Sequence, residues 1–146
     1  MIFPTNFLWG ASTSAFQVEG GYNEGGKGVA TTDLGARRPG IADNKVAADH
    51  YHHWKEDVDL MAELGLKVYR MGFSWSRIMP DASGQSNPEG LAFYDKLIDY
   101  LLEKGIEPLV TLYHFECPQA LVDAFGGWLD RKMICLLYTS PSPRDS

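Results

Sequence analysis

Apolar positions along this chain follow two alternating rhythms. Between Val46 and Leu64, Trp54, Val58, Met61 and Leu64 recur at intervals of three and four, with Lys55, Glu56, Asp57 and Glu63 on the other side. That spacing predicts a helix with one buried stripe, and Gly65 is placed to end it. The next stretch, LKVYRMGFSW from Leu66 to Trp75, is almost continuously apolar, as expected of a strand covered on both faces. The alternation then repeats. Asn87 can cap a helix that Pro88 starts, Leu91, Tyr94, Leu97, Ile98, Leu101 and Leu102 mark its stripe, and Gly105 closes it. IEPLVTLYH from Ile106 to His114 is the following strand, and Pro118 opens another helical stretch that Gly126 and Gly127 end. Phe7 to Thr13 supplies a strand at the front.

The predicted order is therefore strand, long loop, helix, strand, helix, strand, helix. Short helix-to-strand links at Gly65 and Gly105 favour a parallel sheet with crossover helices. A doubly wound sheet and a (β/α)8 barrel both satisfy the pattern. In both, the site lies at the carboxyl ends of the strands. There the chain places Gln17 after the first strand, Arg70 within the second and His114 at the end of the third. Gln and neutral His both donate and accept, which matches vicinal sugar hydroxyls. Arg70, set among Val68, Tyr69, Met71 and Phe73, demands an anionic partner if it is buried.

Composition narrows the classes. At 146 residues, with 45% hydrophobic and 22% charged residues, the chain suits one globular domain. A net charge of −6 gives no footprint for nucleic acid. Seven Tyr, seven Phe and four Trp suit a large core and also the C–H faces of sugar rings. Two cysteines make no disulfide framework. The opening Met-Ile-Phe-Pro-Thr-Asn lacks the basic start and apolar core of a signal peptide, and no run has membrane-span length, so a cytoplasmic location is expected. The cluster Asp49-His50-Tyr51-His52-His53 lies on the predicted helix and reads as a solvated face, with no metal site. Glu24 and the following GGKG lack phosphate-loop spacing.

FLWGASTSAFQVEGG, from Phe7 to Gly21, resembles the N-terminal signature of glycoside hydrolase family 1, the β-glucosidases and 6-phospho-β-glucosidases. DHYHHWKEDVDLMAELGLKVYRMGFSWSRIMP, NPEGLAFYDKLIDYLLEKGIEPLVTLYHFECPQAL and GGW follow in the family's order, so the resemblance covers roughly residues 3 to 134. It implies a (β/α)8 barrel of which about three β/α units are present. It also implies a retaining glycosidase with two carboxylates, one as acid then base and one as nucleophile, acting without cofactor or metal on a small-molecule sugar. On this resemblance Gln17, His114 and Phe115 bind the sugar, Arg70 pairs with the nucleophile, and Trp128 serves as structural support, with a ligand role as the alternative.

The departures are specific. Many β-glucosidases read His-Trp-Asp-x-Pro where this chain reads His114-Phe115-Glu116-Cys117-Pro118. Phe115 removes an indole N–H while keeping an apolar wall. The His-Phe-Glu form is similar to that of 6-phospho-β-glucosidases and 6-phospho-β-galactosidases. The family's acid/base motif Asn-Glu-Pro and nucleophile motif Glu-Asn-Gly do not occur among these residues, and Glu19, Glu24 and Glu116 stand in neither setting. The chain alone is therefore expected to be inactive. A non-catalytic sugar-binding or interaction protein built on a partial barrel is the alternative. GGWLDRKMI predicts a helix as far as Ile134, and Pro141 and Pro143 forbid its continuation. Residues 135–146 read either as a loose natural terminus or, closer to their wording, as the translation of a sequencing-library adapter, disordered in both cases.

Overall fold

A computed structural model describes residues 3–35, 40–41 and 43–139. Strands β1 (Gly10–Ser12), β2 (Val68–Gly72) and β3 (Glu107–Thr111) form one parallel sheet in the order β1-β2-β3. Helices α1 (Ala15–Val18), α2 (His50–Glu63), α3 (Trp75–Ile78), α4 (Pro88–Glu103), α5 (Gln119–Phe125) and α6 (Lys132–Tyr138) surround it. Sequence neighbours are sheet neighbours, joined through α2 and α4, as at the start of a (β/α)8 barrel.

Strand pleat decides what is buried. Tyr69 and Met71 alternate onto one face of β2, where they pack with Val58 of α2 and with Phe93, Leu97 and Leu101 of α4. The alternate residues face the other way. Arg70 sits beside Ser12 of β1 and Leu109 of β3, and Leu109 is 58% exposed. The expectation of strands covered on both faces is thus corrected: the helices cover one face, and the opposite face is open among the described residues. An apolar strand run reports the environment of the complete sheet, and three strands do not close a barrel.

Element ends follow local chemistry. At α4 the Asn87 side chain accepts from the Glu89 N–H at 3.2 Å, Pro88 occupies the first turn, and Gly105 (φ 73°) leaves the helix in the left-handed region. Helix α2 starts at His50, four residues after the expected Val46, because Ala47 and Asp49 turn the chain with φ of 54° and 55°. The Tyr51 N–H in its first turn donates to the Glu19 carbonyl at 2.8 Å, which ties α2 to the end of α1. The apolar run expected to be strand through Trp75 divides, with β2 ending at Gly72 and α3 beginning at Trp75.

Helix α6 crosses the boundary expected at Ile134 and continues to Tyr138. Met133 is buried with Trp75, Met79, Cys117 and Leu121, and Leu136 and Leu137 pack against that cluster. The apolar spacing therefore carries the helix through Cys135 to Tyr138. The proline-containing segment from Ser140 lies outside the described residues. Among the described residues no helix is long and apolar enough to cross a membrane.

Candidate functional site

The carboxyl ends of the three strands feed one surface. After β1 the chain enters α1 through Ser14, whose hydroxyl meets the His114 Nδ1 at 2.9 Å across 100 positions of sequence. Phe16 adds an edge-on ring contact to His114, with centroids 6.4 Å apart. The imidazole is thus oriented through one nitrogen, and its Nε2 carries no protein hydrogen bond among the described residues. Phe115 follows with φ 65° and 72% exposure, its ring tilted beside His114 at 5.1 Å. A left-handed phenylalanine is a strained arrangement, and such strain clusters at functional sites.

The other expected residues separate. Gln17 is exposed on α1, three positions beyond Ser14, and makes no side-chain hydrogen bond among the described residues. Arg70 is half-buried on the open face of the sheet and donates from Nε to the Thr111 hydroxyl at 2.6 Å. No carboxylate pairs with it among the described residues. Trp128 packs on Tyr113 at 4.9 Å and Trp75 at 6.0 Å, a supporting position behind the third strand end. The histidine-rich segment is tied up locally: His50 Nδ1 meets Asp57 at 2.6 Å, His52 lies between Asp49 at 2.6 Å and Glu24 at 3.0 Å, and His53 meets Glu56 at 3.1 Å. The hydrogen bonds from Asp49 and then Glu24 hold the His52 imidazole above its ordinary pKa of 6.5.

Beneath this surface lie two buried carboxylates whose roles the sequence did not reveal. Glu19 accepts from Arg77 Nε at 3.1 Å and from the Tyr94 hydroxyl at 2.5 Å. The remaining Arg77 nitrogens donate to the carbonyls of Glu24, Gly20 and Gly21 at 3.1–3.3 Å, and the guanidinium lies 4.0 Å from the Tyr51 ring centre. Burial works against the Arg77 charge, but Glu19, Tyr94 and Tyr51 together more than offset it, so the guanidinium stays protonated. Glu116 accepts at Oε1 from Ser74 and, at 2.8 Å, from Ser76, with the Lys27 ammonium 3.8 Å away. Burial first, and the charge of Glu19 second, push the Glu116 carboxyl above its ordinary value.

The signal for this layer was present in MGFSWSRIM. Two serines and an arginine inside an apolar run must find partners or remain exposed. That reasoning singled out Arg70, yet Arg77 is the arginine that is fully enclosed. Strand periodicity could not distinguish them, because the short turn of α3 intervenes.

Comparisons with known proteins identify the family and the fold. The Glycosyl hydrolase family 1 model matches residues 1–139. An aryl-phospho-β-D-glucosidase, BglC of Bacillus subtilis, is 51% identical over 136 residues, spanning 90% of this chain and 28% of the relative. Beta-glucosidase 25 of rice is 50% identical, over 90% of this chain and 27% of its own length. Among solved structures, the rice Os3BGlu6 β-glucosidase superposes with a TM-score of 0.86 at 45% identity, covering 92% of this chain and 29% of that one. The psychrophilic β-glucosidase BglU of Micrococcus antarcticus gives 0.83 at 47% identity, with the same coverages. The chain spans little more than a quarter of the length of these relatives, so its sheet is part of their (β/α)8 barrel. On its sequence match and on its fold, this chain belongs to glycosyl hydrolase family 1.

Proposed function

We propose that the chain supplies one wall of the first sugar subsite of a retaining β-glycosidase acting on β-glucosides or 6-phospho-β-glucosides. The observation that carries this reading is the His114–Phe115 turn. It presents a ring nitrogen fixed through Ser14 and an open aromatic face at the carboxyl end of the sheet. His114 and Gln17 meet sugar hydroxyls, which donate and accept as they do. Phe115 packs on the apolar face of the ring. Arg70, oriented by Thr111, waits on the open sheet face for the nucleophile carboxylate.

In retaining hydrolysis one carboxyl group protonates the leaving oxygen while the other attacks the anomeric carbon. Water then releases the covalent glycosyl-enzyme with the first group acting as base. Neither carboxylate stands in these residues, so the chain contributes binding and orientation. The 6-phospho reading rests on Phe115, which offers no indole N–H to an unphosphorylated sugar. The names of the relatives do not choose, since the phospho-glucosidase and the β-glucosidase are 51% and 50% identical.

The test is a complete barrel in which residues 1–139 are continued by the remainder of the B. subtilis relative. Turnover of an aryl β-glucoside or its 6-phosphate is expected, with H114A reducing kcat/KM by about 100-fold. A folded barrel that cleaves neither substrate overturns the glycosidase reading. F115W is expected to shift kcat/KM several-fold toward the unphosphorylated substrate, and an unchanged ratio removes the phosphate preference.

A further inference from the structure

We propose that Glu116 is a positioning residue for the sugar site: its buried carboxylate holds the turn that presents His114 and Phe115. The proposal rests on the sugar-binding reading of those two residues. Glu116 is 3% exposed, directly follows the left-handed Phe115, and points inward while Phe115 points out. It lies beneath the surface, so it acts through its neighbours rather than by touching substrate.

Its partners come from every strand end. Ser74 and Ser76, after β2, both donate to Oε1. Lys27, in the long loop after β1, lies 3.8 Å from the same oxygen and 2.9 Å from Asp33, which in turn accepts the Ala30 N–H at 2.8 Å. Backbone bonds continue the seam beside it. The Thr31 N–H donates to the Cys117 carbonyl at 2.8 Å and the Gln119 N–H to the Val29 carbonyl at 2.8 Å. One acceptor oxygen therefore joins the loops after β1, β2 and β3, and it does so at the residue after the strained phenylalanine. Strain of that kind persists only where its surroundings over-determine the backbone.

The second oxygen is placed differently from the first. Glu116 Oε2 is buried without a hydrogen-bond partner. Glu116 also lines a cavity of about 10 Å3 together with Glu19, Tyr22, Lys27, Asp33 and Asn44, room for about one water. An apolar residue here would instead take the carboxylate acceptor from two serine hydroxyls and leave the Lys27 ammonium with Asp33 as its anionic partner.

The experiment uses the complete barrel described above. E116A is expected to raise KM for the aryl glycoside about tenfold with kcat little changed, the pattern of lost binding interactions. E116Q keeps one acceptor for both serines and is expected to restore most of the affinity. A purely structural role would lower the amount of active enzyme and leave KM unmoved in every variant, and that result overturns the proposal. Should E116A fail to fold, the S74A/S76A double variant removes the donors while Lys27 still faces the carboxylate, and the same rise in KM is expected. A crystal structure of the variant barrel gives a readout independent of turnover. Phe115 is expected to leave the left-handed region or His114 to lose Ser14. Retention of both features overturns the proposal even if the barrel proves inactive, an outcome that would count separately against the glycosidase reading.

Discussion

At the scale of single residues, the buried charges carry most of the risk. Arg77 is fully enclosed and paired with the nearly buried Glu19. Replacing it with methionine fills similar space but strands a buried carboxylate, so R77M should cost about 3–5 kcal/mol, read as a lowered denaturation midpoint of the complete barrel. Glu116 has the opposite leaning. Its folded-state carboxyl titrates above the ordinary 4.5, so the stability it contributes is present below that pH and is lost as pH rises through the folded value. Melting temperature against pH should therefore fall more steeply for the wild-type barrel than for E116Q just above pH 4.5. His52 is held protonated above 6.5 by Asp49 and Glu24. Its contribution is present below 6.5 and lost as pH rises through the raised value. An imidazole titration by NMR should show that pKa fall on D49N substitution.

Secondary elements show where local chemistry suffices. Asn87, Pro88 and Gly105 predicted both ends of α4 from sequence alone, because a cap, a first-turn proline and a left-handed glycine act through the nearest backbone groups. Asn87 also does something that no local rule exposes: its Nδ2 donates to the carbonyls of Gly25 at 2.7 Å and Arg77 at 3.0 Å. Loss of the cap alone costs about 1 kcal/mol, so N87A should exceed that cost. N87D, which keeps the capping oxygen and loses both donors, should also destabilise the complete barrel in a urea titration. Stability of N87D equal to wild type would reduce Asn87 to a cap. Gly90 in the same helix is fixed by contact, since an added Cβ would lie 2.2 Å from the Arg77 carbonyl oxygen. Helix α3 escaped prediction because its Trp75–Ile78 span continues the apolar run of β2. All four residues of α3 are buried, and periodicity carries no information where no face is wet.

For the whole molecule, the open sheet face dominates. Leu109 on that face is more than half exposed, as are Leu8 and Leu112 beside the two edge strands, and β1 and β3 each have a single sheet neighbour among the described residues. Unpaired strand edges beside apolar surface promote edge-to-edge pairing. The isolated chain should therefore self-associate in sedimentation experiments, L109K should reduce the effect, and neither should turn over an aryl β-glucoside. A monomer with a sharp two-state melt would contradict the first expectation, and measurable turnover by the purified chain the last.

The sequence by itself determined the alternation of strands and helices, the helix ends at Asn87 and Gly105, and the polar groups placed near strand ends. These depend on spacing and on contacts within a turn or two. Tertiary structure decided the rest. It set Ser14 against His114, turned Phe115 outward, chose Arg77 over Arg70 as the enclosed arginine, and gathered Ser74, Ser76 and Lys27 around Glu116. Such partners lie tens of residues apart, and hydrogen-bond complementarity is a property of positions in space that no one-dimensional period encodes.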